Sequence, residues 1–231
     1  MSERGARRWT IAAVLLLTAC TPTQRAPSLA PAARPEGFPT QQYLEAAARG
    51  EAVYMLEPGN SLAVATVRRS GPLAKLGHDH VVASHALNGY VRPAAGVGDL
   101  YVPLADLDVD AAELRRDAGL DTTPSAADIA GTAKNLQEKV LATDRHPYAI
   151  VHFERRAADT LQLTMILNGV AHEYTVAARI DVAAEELAAE GRFEVKQTDF
   201  GITPFAILGG GLRVEDAIAM RFVVKAHRIA E

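Results

Sequence analysis

Leu161-Gln162-Leu163-Thr164-Met165-Ile166-Leu167-Asn168-Gly169-Val170-Ala171-His172-Glu173-Tyr174-Thr175-Val176-Ala177-Ala178-Arg179-Ile180 reads as two strands and the turn between them. Side chains of an extended chain alternate faces, so Leu161, Leu163, Met165 and Leu167 share one side while Thr160, Gln162 and Thr164 take the other. Tyr174, Val176, Ala178 and Ile180 repeat the pattern opposite Glu173, Thr175 and Arg179. Asn168-Gly169 tolerates the positive φ angles of a two-residue turn, which makes the pair a hairpin.

The same period of two recurs near the C-terminus, where Met220, Phe222, Val224 and Ala226 oppose Arg221, Lys225 and His227. Further strands are expected at Ala52 to Leu56, Leu62 to Arg68, Val81 to Val91, Tyr148 to Arg155 and Arg192 to Lys196. Two helices interrupt them. One is short, Asp110 to Ala118. The other opens at the capping arrangement Ser125-Ala126-Ala127-Asp128 and reaches about Leu141, with Ile129, Ala133, Leu136 and Val140 as its apolar stripe. About eight antiparallel strands, each apolar on one face, form a sandwich or close into a barrel, and a barrel of that size can enclose one small ligand.

Outside this region the sequence changes character. Arg4, Arg7 and Arg8 precede the apolar run Ile11 to Leu17, and Leu17-Thr18-Ala19-Cys20 ends it, the layout of a secretory signal over residues 1–19. The ending resembles the bacterial lipobox, in which the Cys becomes the acylated first residue of the mature chain. Cys20 is the single cysteine of 231 residues. A plain cleaved signal with an incidental Cys is the alternative. With Cys20 acylated no intramolecular disulfide can form, so the core is held by packing alone. Residues 20–42, rich in Pro, Ala, Thr, Ser and Gln, read as a tether. Residues 43–231 form the globular domain, with one or two helical turns expected at Tyr43 to Arg49. Removal of residues 1–19 lowers Lys plus Arg from 24 to 21 and Asp plus Glu from 28 to 27, a net charge of −6 that disfavours nucleic acid as a partner.

Four blocks, in order, resemble the YceI family: Val53 to Ser61, Lys139 to Phe153 with its Thr-Asp-Arg-His-Pro centre, Leu167-Asn168-Gly169-Val170-Ala171-His172, and Thr198-Asp199-Phe200-Gly201-Ile202 followed by the strand Ala219 to Arg228. The resemblance implies a mainly β protein: a lipocalin-like antiparallel β-barrel of about eight strands with one or two α-helices. It further implies export to the bacterial envelope, an apolar isoprenoid-type ligand inside the barrel, and a homodimer. On that reading Leu163, Met165, Val176, Ala178, Phe222 and Val224 line a tunnel that holds an isoprenoid lipid or quinone. An ordinary filled core, and with it an interaction module that takes no small ligand, is the competing reading of the same residues.

One segment departs from the simpler turn associated with the family: Leu73-Ala74-Lys75-Leu76-Gly77-His78-Asp79-His80. On an extended backbone His78 and His80 share a face and Asp79 points away. Two imidazoles on one face can begin a zinc or copper site, with His85, His146 or His152 as candidate further ligands. Enzyme chemistry finds little support. There is no Gly-x-Ser-x-Gly elbow and no phosphate-binding glycine loop, and Gly209-Gly210-Gly211 lacks a following Lys-Ser/Thr and reads as a loop at the barrel mouth. The sequence therefore leads to a non-catalytic, lipid-anchored envelope protein facing the periplasm. Thr21 after Cys20, rather than Asp, favours an outer membrane where the cell has one.

Overall fold

A computed structural model describes residues 34–229. The expected signal, Cys20 and the first part of the tether lie outside the described residues. Eleven strand segments make one antiparallel sheet. They combine into eight strands, because three strands are interrupted: β1 is Tyr54–Leu56 with Leu62–Val67, β2 is His80–Ser84 with Asn88–Arg92, and β3 is Val97–Pro103 with Asp108–Val109. The other five are β4 (Tyr148–Ala157), β5 (Thr160–Leu167), β6 (Val170–Val182), β7 (Glu186–Lys196) and β8 (Ala217–Arg228). Each strand pairs with the next, and β8 returns to pair with both segments of β1. The result is a closed up-and-down barrel.

The interruptions of β1 and β2 face each other and turn a corner of the sheet. Gly59 donates its N–H to the carbonyl of His85 at 2.8 Å. The fully buried Ser61 stands in for the missing ladder bonds: its Oγ accepts from Lys225 N at 3.0 Å and donates to Lys225 O at 3.2 Å. The single strand expected at Val81 to Val91 is thus two segments, and Ser84 Oγ accepts the N–H of Ala86 in the break.

The hairpin at Asn168-Gly169 forms as expected, with φ of 51° and 76° at its two residues and Leu167 facing Val170. β7 is longer than the Arg192–Lys196 read from alternation. Leu187-Ala188-Ala189-Glu190 carries helix formers, but eleven residue pairs with β8 override that preference. β3 was not expected, since Gly98 and Pro103 mask its alternation. Among the helices, α1 is Thr40–Ala48, α2 is Ala112–Asp117 and α3 is Ala126–Asn135, the last continued by a π turn at Leu136–Val140. α1 packs Tyr43, Ala46 and Ala47 on Val53, and the Tyr43 hydroxyl donates to Asp99 at 2.6 Å. At α3 the Ser125–Asp128 capping box forms on both sides.

Alternation sorts the barrel. Leu161, Leu163, Val176, Leu187, Val195, Ile218 and Val224 are buried inside, while Glu173, Arg179, Asp181 and Glu194 stand outside in water. This is the reverse of a membrane-spanning barrel, whose apolar band faces outward. No described helix is long and apolar enough to cross a membrane. Inside, large rings sit opposite glycines: Phe153 faces Gly98 and Phe222 faces Gly191 in register. A Cβ at Gly98 would lie 2.3 Å from the Phe153 ring and 2.9 Å from the Tyr90 carbonyl. Gly98→Ala is expected to lower the unfolding free energy by about 1–3 kcal/mol in urea titration, since the backbone carbonyl cannot yield as a ring can.

Candidate functional site

In an up-and-down barrel every second connection falls at the same end. The three long ones, residues 68–79, 110–147 and 197–216, therefore gather at one mouth, joined by the hairpin turn at 168–169. There Arg69–Ser70, Leu212–Val214 and Ala206–Ile207 make a small second sheet, so the first and last connections brace each other. The opposite end has the short turns, where the Arg155 guanidinium donates to the carbonyls of Ala157 and Ala158.

Between the two ends runs a cavity of about 690 Å³, within the roughly 300–1,000 Å³ range of sites that enclose a small ligand. It begins near Pro93, Gly96 and Arg155 and reaches the mouth at Leu76, His78, Asp128, Ile207 and Leu212. The space exists because Ala63, Ala65, Ala149 and Ala189 occupy inward positions on β1, β4 and β7, where larger side chains would meet across the axis. Of the six residues read as tunnel lining, Leu163, Met165, Phe222 and Val224 lie on the cavity wall. Val176 and Ala178 do not: they face inward but belong to a buried cluster with Leu161 and Leu163, packed by Phe193, Phe222 and Tyr174. Alternation gives the direction of a side chain, and not which neighbours cover it.

The mouth is partly roofed by α3 and its π turn, none of whose residues is buried. The helix turns Ala127, Asp128, Gly131, Thr132, Asn135 and Leu136 toward the cavity. Of the stripe Ile129, Ala133, Leu136 and Val140, only Leu136 and Val140 reach the wall. Exposed apolar side chains stand around the opening, Leu76 at 69% and Leu208 at 62% above all.

The Gly-His-Asp-His segment enters the mouth in extended form, with β2 beginning at His80. His78 and His80 face the cavity, and Asp79 points away. Asp79 accepts from Arg68 Nη1 at 2.9 Å and from the Arg69 N–H at 2.8 Å. Behind His80 lies Asp110, buried and in the left-handed region at φ 59°. Its carboxylate meets His80 Nδ1 at 2.6 Å, Arg115 Nη1 at 2.5 Å and the Val81 N–H at 3.1 Å. Arg115 also donates to the carbonyls of Asp79, at 2.7 Å, and Thr122. Burial opposes the Asp110 charge, but the hydrogen bonds from His80 and Arg115 outweigh it and hold this carboxyl below the usual aspartate range. Neither Asp110 nor Arg115 is marked in the sequence, because the contact joins residues thirty positions from His80 to a residue on α2.

The other histidines do not join the pair. His85 bonds the Ser61 carbonyl, His152 meets Asp99 at 2.9 Å, and His146 packs on Gly169. Among the described residues no three His, Cys, Asp or Glu side chains assemble a metal-binding group, so the expected third ligand to His78 and His80 is not brought to them.

A family model described as YceI-like domain matches residues 74–226. The chain belongs to the YceI family. Two solved structures share the fold of this YceI barrel. A polyisoprenoid binding domain from Saccharophagus degradans, implicated in plant cell wall breakdown, aligns over 76% of this chain and 98% of its own at 12% identity and a TM-score of 0.54. Burkholderia cenocepacia BcnA aligns over 74% and 98%, with 12% identity and a TM-score of 0.50. No protein of curated function matches the sequence. The match includes both His78 and Asp110, so the polar mouth lies within the YceI domain.

Asp110→Asn leaves the buried Arg115 charge without its partner and is expected to cost about 3 kcal/mol or more at pH 7. Because the folded-state value of Asp110 is depressed, its stabilisation is complete above the ordinary aspartate value of about 3.9 and is lost as pH falls toward the lowered one. Urea midpoints of wild type and variant should therefore converge as pH drops below about 4.

Proposed function

We propose that this YceI barrel is a non-catalytic carrier that holds an apolar isoprenoid-type lipid or quinone in its cavity. The observation that carries this reading is the hollow, mainly apolar interior of about 690 Å³ that reaches the mouth. A ligand of that kind has few polar handles, so burial of apolar surface at about 25 cal/mol per Å² supplies most of its affinity. The exposed Leu76, Ile207 and Leu208 give such a chain an apolar threshold at the opening. The Saccharophagus degradans domain of the same fold is described as polyisoprenoid binding, which supports the same ligand class. On this reading acylation of Cys20 would keep the carrier beside the membrane that supplies its ligand, facing the periplasm of the bacterial envelope.

Mass spectrometry of organic extracts from residues 42–231, purified from an envelope fraction without detergent, should show an isoprenoid or quinone near one per chain. Ala189→Trp, which projects a ring into the cavity, should empty the protein of lipid while the cooperative melting transition survives. An extract that stays free of apolar lipid after incubation with such lipids would overturn the carrier reading. For the anchor, a Cys20→Ser chain expressed in a diderm bacterium should leave the membrane fraction and lose incorporated radiolabelled palmitate.

A further inference from the structure

The cavity is mainly aliphatic and aromatic, and two imidazoles, His78 and His80, face it at the mouth. We infer that His80, with His78 beside it, forms a headgroup site that accepts a hydrogen bond from a hydroxyl at the end of the bound chain, as in a prenyl alcohol or a prenylated hydroquinone. The inference rests on the carrier reading above and names the end group that reading leaves open.

The argument begins with the tautomer of His80. Asp110 Oδ2 lies 2.6 Å from His80 Nδ1, and an ionised carboxylate can only accept, so Nδ1 carries the proton. In the neutral ring Nε2 is then a lone-pair acceptor, and it has no partner within the described protein. The Asp110 side chain is completely buried and pinned by Arg115 and the Val81 N–H, so the imidazole is held in one orientation toward the cavity. His78 stands beside it as the neighbouring wall. Its Nδ1 is buried and its Nε2 lies 3.8 Å from Asp128 of α3. The two ring centroids are 6.3 Å apart with the planes at 71°. A hydroxyl carries one proton, and His80 Nε2 is the atom that takes it, at an ordinary hydrogen-bond length of about 2.8 Å.

An acceptor selects a donor. A quinone carbonyl, an ether or a hydrocarbon end offers none, whereas a hydroxyl does. Two cations near the rings are already paired, Arg69 with the Gly77 carbonyl, Asp79 and Asp121, and Arg115 with Asp110 and two carbonyls, and Asp128 adds a negative charge beside His78. Leaving His80 Nε2 unpaired when the mouth is filled by an apolar end removes affinity, so the site discriminates between ends.

The test uses delipidated protein at pH 8 and two matched pairs of probes, geranylgeraniol against its methyl ether, and menaquinone-4 reduced against oxidised under anaerobic conditions. Dissociation constants are read by displacement of a fluorescent fatty acid. The hydroxylated member of at least one pair should bind about tenfold tighter, and the pair that shows the preference tells alcohol from hydroquinone. His80→Ala should bring that ratio close to one. His78→Ala, which removes the neighbouring ring but not the acceptor, should keep the preference, and continued binding of the methyl ether by His80→Ala guards against a folding defect there. Equal binding within both pairs, or a preference unchanged in His80→Ala, would overturn the headgroup site and leave the carrier standing. Failure of all four probes to bind would overturn both.

Discussion

β8 closes the barrel, and the cavity depends on that closure. It pairs with β7 along eleven residues and with both segments of β1 on its other side, so no long edge remains unpaired. The weak point is the break in β1, where the chain must turn a corner and loses ladder bonds. Ser61 repairs it by exchanging two hydrogen bonds with the backbone of Lys225 through its side chain, while Glu57 N donates to the same carbonyl at 2.9 Å. A buried hydroxyl with both its donor and acceptor satisfied stabilises the seam where an apolar residue would leave the Lys225 groups unpaired.

Closure alone does not make a hollow. Eight strands give an interior that side chains can fill, and here Val176 and Ala178 are covered by Leu161, Leu163, Phe193, Phe222 and Tyr174. Space remains because β1, β4 and β7 present alanines inward, and because Gly98 and Gly191 leave room for the Phe153 and Phe222 rings above them. The same barrel is thus both a packed core and a container.

The mouth follows a different logic. Asp110, Arg115, Asp79 and Arg69 form a buried and half-buried charge network in which each carboxylate has several donors, and it ties the 68–79 connection to α2. Its two outward products are the imidazoles of His78 and His80, aimed into an otherwise apolar space. α3 lies above them, fastened at its N-terminus by the Ser125–Asp128 box and otherwise lightly packed.

Much of the architecture was legible in the chain. Local patterning located six of the eight strands, part of a seventh and the Asn168-Gly169 turn, the capping box located α3, and the spacing of His78 and His80 placed both on one face with Asp79 on the other. These features are local: they depend on φ/ψ preferences and on the side to which successive residues point. β3 and the first half of β7 were hidden because glycine, proline and alanine-rich runs carry no local strand preference and become strands only through the partners beside them. That Val176 is covered while Val224 is on the wall, that His80 meets Asp110, and that the barrel is hollow are all relations between residues far apart in sequence. The sequence determined which faces are apolar and which family the fold follows. Only the tertiary structure decided where the space is left, because a void is set by the summed volumes of side chains converging from eight strands, and no single segment contains that sum.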